Sequence, residues 1–171
     1  KIYLYNNIIM NHTKIKNILK KNSRKIKNTK ILCIGDIILD KYIQGDVNRI
    51  SPEAPIPILL VKSVRCELGG VGNVARNIVS MGGKVKLISI AGKGDGSKEI
   101  ASLLKKENNI KNIPIKVSNY SLPIKTRYIS NSAHMIRVDE EVSEYKIKQS
   151  TKDKVIKSVK RNILDCDAVI L

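Results

Sequence analysis

Apolar residues along the chain follow two periodicities, one typical of strands and the other typical of helices. Short, mainly apolar runs indicate buried strands. They lie at residues 31–34, 85–91 and 168–171. Apolar positions three or four residues apart predict one helix directly after Gly70 and two more near residues 97–108 and 151–163. Strands that alternate with helices in this way indicate an α/β domain with a largely parallel central sheet flanked by helices.

A second group of predicted strands does not fit this alternation. Gly45-Asp46 predicts the turn of a hairpin that spans residues 42–47. Three prolines between residues 52 and 57 exclude a central strand there and favour an edge or extended segment. Further strands are predicted at residues 58–61, 113–117, 124–129 and 135–138. We interpret most of this group as a small β-lid, formed by segments at about 41–66 and 120–138.

The chain is strongly basic, and much of the charge lies near its first residues. Its 32 lysines and arginines outnumber 15 acidic residues, which gives a formal net charge of +17. Residues 1–30 hold nine of these bases and no acid, and residues 13–27 predict a basic amphipathic helix. A nucleic-acid-binding module is therefore one alternative, but no zinc-finger spacing, RNP-like pattern or arginine-rich arm accompanies the charge. We favour solvated lysines, with residues 1–30 as an extension before a domain at 31–171.

Cysteine spacing and hydropathy bear on the cellular compartment. The three cysteines are far apart and form no C-x-x-C pair, which suits a reducing compartment. No apolar run approaches transmembrane length, and residues 1–10 are too short and too polar for a signal peptide. We therefore predict a cytoplasmic protein without a membrane partner.

A glycine-rich segment precedes the first predicted helix. Residues 70–75 match G-x-G-x-x-A, one form of the dinucleotide fingerprint. That fingerprint belongs directly after the first strand of a β-α-β unit, whereas the first predicted strand is followed by Gly35-Asp36. A mixed polar stretch at residues 62–68 also separates the fingerprint from the nearest preceding strand. A dinucleotide-binding domain stays an alternative that the spacing does not favour.

The same glycines suit a cradle for a sugar. Gly69 and Gly70 lack a β-carbon, so a ligand can approach the bare amides at the start of the helix. Asn73 offers a donor and an acceptor, and Asp40, after the first strand, offers a carboxylate that can accept from two hydroxyls. Asp36 lies in the same loop, at the strand end where ligands bind in open α/β sheets. A tight loop capped by Asn73 explains these residues equally well, so spacing leaves both interpretations open.

Longer motifs resemble the PfkB/ribokinase family of carbohydrate kinases. Residues 69–75, with Gly82 and Gly92, are similar to the first signature of that family, except that Val71 stands where a small residue is usual. Four more segments are similar to the branch of the family that phosphorylates D-glycero-β-D-manno-heptose 7-phosphate. They are residues 34–42, 49–57, 125–127 and 136–141. The resemblance covers about residues 15–171 and corresponds to the N-terminal half of such a kinase domain.

The resemblance implies a ribokinase-like fold with a β-lid and transfer of the ATP γ-phosphoryl group to the anomeric hydroxyl of a sugar phosphate. ATP and Mg²⁺ are the implied cofactors of the full-length enzyme, and a homodimer through the β-lid is the implied assembly. The family's catalytic base is an aspartate in a G-A-G-D motif, which this sequence does not contain. We therefore expect a fragment that stops before the nucleotide-binding half, binds no cofactor or metal and is inactive alone. A kinase for another sugar is the alternative within the family.

The resemblance also implies a set of site residues. The positions that match the family's sugar-binding residues are Asp40, Gly69, Gly70 and Asn73. Asp36 is added as a neighbouring candidate. A substrate that carries a phosphate needs a cationic partner. The candidates on the lid-side strands are Lys125, Arg127 and Arg137. Each of these three could instead lie on a solvated strand face or pair with Glu140 or Glu141.

Overall fold

The computed structural model of the protein describes residues 17, 20–22, 25, 27, 29–141 and 147–171. Residues 17, 20–22, 25 and 27 are helical. The predicted apolar face of that helix depends on residues outside the described set, namely Ile15, Ile18, Leu19 and Ile26. Among the helices in the described part, none combines the length and the apolar character needed to cross a bilayer.

Residues 29–141 and 147–171 form eight strands and three helices. The strands are β1 (Lys30–Ile34), β2 (Ile37–Ile50), β3 (Pro57–Gly70), β4 (Lys84–Ala91), β5 (Ile110–Lys116), β6 (Ile124–Ser130), β7 (Ala133–Glu140) and β8 (Ala168–Ile170). The helices are α1 (Val71–Ser80), α2 (Asp95–Lys105) and α3 (Gln149–Asn162). The predicted alternation of strands and helices is therefore confirmed.

The main sheet is parallel throughout, in the order β5-β4-β1-β8. Successive side chains of a strand point to opposite faces, so the adjacent residues Leu32 and Cys33 enter two different cores. Helices α1 and α2 cover the Cys33 face, while α3 packs Val155 and Val159 against the Leu32 face. Leu32, Cys33 and Leu87 are completely buried, as expected for a sheet covered on both faces.

The second sheet has the order β3-β2-β6-β7 and mixes strand directions. Strands β2 and β3 form a long antiparallel hairpin, β6 and β7 form a shorter one, and β2 runs parallel to β6. Its strands begin at residue 37 and end at residue 140, so it extends beyond the predicted lid segments at 41–66 and 120–138. This sheet carries most of the candidate site residues.

The hairpin predicted at residues 42–47 is wrong. Strand β2 continues through this segment with an irregularity in register between Gln44 and Gly45, and the chain reverses at residues 51–56 instead. Gly45 is needed for close packing, since a β-carbon there would collide with the Leu60 carbonyl of β3. The prolines lie in and after the true turn, and Pro57 begins the edge strand β3, as the sequence predicts.

Candidate functional site

The loop after β1 and the start of α1 are joined directly by the backbone. The amide of Val71 donates to the carbonyl oxygen of Asp36 over 3.0 Å, and the amide of Gly35 donates to Ile88 over 3.2 Å. The carboxyl end of β1, the first residues of β2 and the first turn of α1 therefore meet in one place. Ligands of α/β proteins commonly bind at this edge of a parallel sheet.

Alternate side chains of β2 point to opposite faces of the sheet, one toward the core and the other toward the candidate site. Ile37, Leu39 and Ile43 are buried in or against the core, so Asp40 and Tyr42 project from the opposite face. Strand register extends this face across the sheet in two neighbouring rows. The acidic row consists of Glu67, Asp40, Lys125 and Asp139. The arginine row consists of Arg65, Tyr42, Arg127 and Arg137.

Asp40 and Arg127 form an ion pair at the centre of this face. Arg127 Nη1 donates to Asp40 Oδ1 over 2.6 Å, although the two residues are far apart in the chain. About a fifth of each side chain is exposed, so solvent screens the pair only in part. The hydrogen bond to Asp40 raises the pKa of the Arg127 guanidinium above its ordinary value. The carboxylate is therefore held in place by a permanently charged partner.

Gly69 and Gly70 are both required by close approaches of other groups. A β-carbon at Gly69 would overlap the Asp40 carboxylate, so glycine is what allows this side chain to lie over the β3 backbone. Gly70 has φ of 56° and ψ of −134°, and a β-carbon there would meet the Asp36 carbonyl oxygen. The predicted bare backbone at the start of the helix is thus present, with Asp40 next to it.

Asn73 and Asp36 lie beside this backbone and are both exposed. Asn73 is in the first turn of α1, and no side chain caps this helix at its N-cap residue, Gly70. The interpretation of Asn73 as a helix cap is therefore wrong. The first N–H groups of a helix lack partners within it, so this end can donate to a ligand. Asp36 contributes its carbonyl oxygen to the α1 junction, while its side chain faces solvent.

Lys125 and Arg137 both have carboxylate partners on β7. Lys125 Nζ donates to Asp139 Oδ2 over 3.1 Å, and Arg137 Nε donates to Asp139 Oδ1 over 2.9 Å. Glu141 lies 3.9 Å from Lys125 as a further ion-pair partner. The bond from Lys125, with a smaller contribution from Arg137, lowers the pKa of Asp139. The ion-pair alternative thus holds for these two cations, with Asp139 as the main partner, whereas Arg127 alone of the three contacts Asp40.

Tyr42 and Arg65, which lie on this face, were not among the residues predicted from the sequence. The guanidinium carbons of Arg65 and Arg127 lie 4.7 and 5.2 Å from the centre of the Tyr42 ring. These distances are within the range of a cation–π contact. The sequence gives no direct signal for this cluster, because only the register of β3, β2 and β6 brings the three side chains together. Within the described residues, no group of histidines, cysteines and carboxylates is arranged to hold a metal ion.

A cavity of about 650 Å³ lies elsewhere, between α2 and the edge strand β5. Its walls are mainly apolar and include Ile100, Leu104 and Leu122, and none of the eight candidate residues lines it. A polyol needs several hydrogen-bonding partners that converge on it, and the face around Asp40 offers these. The cavity includes polar residues such as Ser97 and Asn112, but most of its surface is apolar. We therefore place the candidate site at the face around Asp40 and not in the cavity.

Comparison with known proteins identifies the family of the chain. The model of the pfkB family of carbohydrate kinases matches residues 28–160. The Bifunctional protein HldE of Rhodospirillum rubrum is 40% identical over 116 residues, which are 68% of this chain and 23% of that protein. The HldE of Bradyrhizobium diazoefficiens is 33% identical over 151 residues, or 87% of this chain and 30% of that protein. The chain thus spans less than a third of these relatives.

Solved structures share the fold. Phosphofructokinase-2 from Escherichia coli, in complex with fructose-6-phosphate, superposes with a TM-score of 0.61 at 20% identity, over 82% of this chain and 44% of that one. A carbohydrate kinase from Agrobacterium tumefaciens gives a TM-score of 0.59 at 21% identity, over 82% of this chain and 44% of that one. These likenesses confirm the ribokinase-like α/β fold. Together with the match over most of its length, they show that the chain belongs to the pfkB family of carbohydrate kinases.

Proposed function

We propose that this chain provides the sugar-binding side of an ATP-dependent kinase for D-glycero-β-D-manno-heptose 7-phosphate. In this reaction the γ-phosphoryl group of ATP passes to the anomeric hydroxyl and gives the 1,7-bisphosphate. One observation carries the proposal: the Asp40 carboxylate lies over the bare backbone of Gly69, at the start of an uncapped helix. Relatives named HldE, at 33% to 40% identity, support the heptose branch of the family.

The sugar hydroxyls are the groups that this arrangement fits. An ionised carboxylate only accepts hydrogen bonds, so the two oxygens of Asp40 can receive two neighbouring hydroxyls. Asn73 and the amides of the first turn of α1 after Val71 add donors, and the amide oxygen of Asn73 adds an acceptor. Several such bonds, made at once to a rigid ring, fix its orientation and place the anomeric hydroxyl for in-line attack.

The terminal phosphate of the substrate is the proposed ligand of Arg127. Guanidinium groups bind phosphate oxygens with two parallel hydrogen bonds, and Arg127 lies directly beside the sugar-binding carboxylate. Lys125 and Arg137 share Asp139 on β7, and neither of them contacts Asp40. We propose that these two support the β6–β7 hairpin rather than the substrate.

ATP and Mg²⁺ are the proposed cosubstrate and metal of the complete enzyme. The sequence contains no G-A-G-D motif, and we assign no residue of this chain to the nucleotide or the metal. The residues described above bind and orient the acceptor sugar, and the proton of the anomeric hydroxyl is removed elsewhere. We further propose that the enzyme acts in the cytoplasm, where its three unpaired cysteines would stay reduced.

Calorimetric titration with four ligands tests this proposal. Heptose 7-phosphate is expected to bind with a Kd between about 1 μM and 1 mM, the range typical of enzyme substrates. Fructose 6-phosphate is expected to bind more weakly, and NAD and a DNA duplex in physiological salt are expected not to saturate the protein. Tight NAD binding would instead support a dinucleotide domain, and salt-sensitive DNA binding would support a basic nucleic-acid module. Tighter binding of fructose 6-phosphate than of heptose 7-phosphate would indicate that the protein belongs to another branch of the family.

We also propose that two copies associate through the second sheet. The face opposite the arginine row carries a back row that consists of Val64, Ile43, Tyr128 and Ile136. Val64 is 56% exposed and Ile136 is 58% exposed, at the two edges of the sheet. Pairing with a second copy would cover both edges and the exposed ends of this row, while Ile43 is already buried.

Sedimentation velocity tests the proposed dimer. Ile136→Glu is expected to convert a dimeric protein into a monomer, since an unpaired carboxylate would be buried in the contact. Met81→Glu is the matched control, because Met81 is 62% exposed and lies at the end of α1, away from this sheet. A monomeric wild-type protein, or equal behaviour of the two variants, would contradict the proposed contact.

A further inference from the structure

Tyr42 lies at the centre of the arginine row, with one guanidinium from each neighbouring strand over its ring. Arg65 approaches from β3 at 4.7 Å and Arg127 approaches from β6 at 5.2 Å. The order β3-β2-β6 places these strands on opposite sides of Tyr42. The ring therefore contacts two permanent positive charges on one face of the sheet.

Each of the two arginines is balanced by a carboxylate of the acidic row. Arg127 bonds to Asp40 and Arg65 bonds to Glu67, and both carboxylates lie one row closer to α1. Arg65 is 65% exposed and Glu67 is 33% exposed, so this pair is loosely held. A dianionic phosphate would compete well for such guanidiniums, because it offers more acceptor oxygens and a greater charge.

The spacing of the rows matches a sugar with a phosphate at one end. Two residues along a strand advance about 6.6 Å, so the arginine row lies about that distance from Asp40, on the side away from α1. A pyranose ring bound by Asp40 and the start of α1 would direct a terminal substituent along β2 toward Tyr42. The phosphate would then lie within reach of the guanidiniums of Arg65 and Arg127, and the anomeric end of the sugar would face α1.

We propose that Arg65 and Arg127 together bind the terminal phosphate of the sugar substrate, and that Tyr42 is the positioning residue for both. This inference rests on the proposed function and adds Arg65 and Tyr42 to its site. It also defines the substrate class: a sugar phosphorylated at the end opposite its reacting hydroxyl. The unphosphorylated sugar contacts only the acidic row and α1, so it does not depend on Arg65.

The test compares the affinities of heptose 7-phosphate and unphosphorylated heptose in calorimetric titrations of the complete gene product. Arg65→Gln is expected to weaken binding of the phosphorylated sugar by roughly tenfold or more, as for loss of one charge-assisted hydrogen bond. Binding of the unphosphorylated sugar should change less than about twofold. Lys62→Gln is the matched control, since Lys62 lies on the same strand, pairs with Asp46 and is similarly exposed. It should leave both affinities unchanged.

Two substitutions of Tyr42 separate its positioning role from a role in the fold. Tyr42→Phe keeps the ring and should retain the wild-type ratio of the two affinities. Tyr42→Leu should lower that ratio by selectively weakening the phosphorylated sugar, while the unphosphorylated sugar still binds. A purely structural role would weaken both sugars equally.

The outcomes distinguish this inference from the function on which it rests. A wild-type protein that does not bind heptose 7-phosphate would overturn the proposed function. Suppose that the wild-type protein binds heptose 7-phosphate, but that Arg65→Gln has wild-type affinities or weakens both sugars equally. That result would overturn only the assignment of Arg65 and leave the proposed function standing. Loss of affinity in Tyr42→Phe as large as in Tyr42→Leu would overturn the assignment of the ring.

Discussion

Gly70→Ala is expected to destabilise the protein more than any other single substitution at the site. The backbone at Gly70, with φ of 56° and ψ of −134°, is a conformation that residues with a β-carbon rarely adopt, at a cost of about 1–3 kcal/mol. The new β-carbon would also collide with the Asp36 carbonyl oxygen, which already accepts from the Val71 amide. Together these effects should remove about 3 kcal/mol or more from a total stability of about 5–15 kcal/mol.

Urea unfolding with a matched variant isolates the collision from the strain. Gly94 also has a positive φ, of 112°, but a β-carbon there would meet nothing within 4 Å. Gly94→Ala should therefore show the backbone strain alone, about 1–3 kcal/mol. Equal losses in the two variants would contradict the tight junction between the β1 loop and α1, and with it the geometry of the proposed cradle.

Asp40→Asn is expected to have the largest effect on ligand binding. The change removes a charged acceptor for the sugar hydroxyls and leaves Arg127 with a neutral amide oxygen in place of the carboxylate at 2.6 Å. A hydrogen bond to a charged group contributes about 1.5–3 kcal/mol, so affinity for heptose 7-phosphate should fall roughly 10- to 100-fold. The free energy of unfolding should change by only about 1 kcal/mol, because the Arg127 guanidinium stays in contact with solvent and with the Tyr42 ring.

Calorimetry and urea unfolding of the same variant measure both parts of this prediction. Asp46→Asn is the control, since Asp46 lies on the same strand and pairs with Lys62 outside the two rows. It should leave the affinity for heptose 7-phosphate at the wild-type value. An unchanged affinity in Asp40→Asn would show that Asp40 does not bind the sugar. A large loss in the free energy of unfolding would show that Asp40 supports the fold instead.

Local patterns in the sequence predict the main sheet and its helices well. The apolar run of β1 and the helical spacing of α1 mark buried faces, and those faces do pack together in the core. The predicted turn at Gly45 fails for a reason that local sequence cannot reveal. Glycine serves there to admit the Leu60 carbonyl from the neighbouring strand, and a close approach has the same local pattern as a turn.

The candidate site is predicted only in part, because much of it depends on strand register. Motifs identify Asp40 and the glycines, which are adjacent to α1 in the fold. They do not distinguish Arg127 from Lys125 or Arg137, since all three lie on one hairpin with similar spacing. The parallel register of β2 and β6 places Lys125 opposite Asp40 and Arg127 opposite Tyr42. The distinction comes from the side chains, because Lys125 bonds to Asp139 whereas Arg127 reaches back to Asp40. No local pattern fixes a pairing across more than eighty residues of chain.

The central claim is that the Asp40 carboxylate and the bare backbone at the start of α1 bind the sugar. A crystal structure of the complete gene product with heptose 7-phosphate tests this most directly. We predict that ring hydroxyls lie within hydrogen-bonding distance of Asp40 and of the first turn of α1, with the phosphate at Arg127. A sugar bound in the cavity between α2 and β5, with solvent alone at Asp40, would contradict the claim.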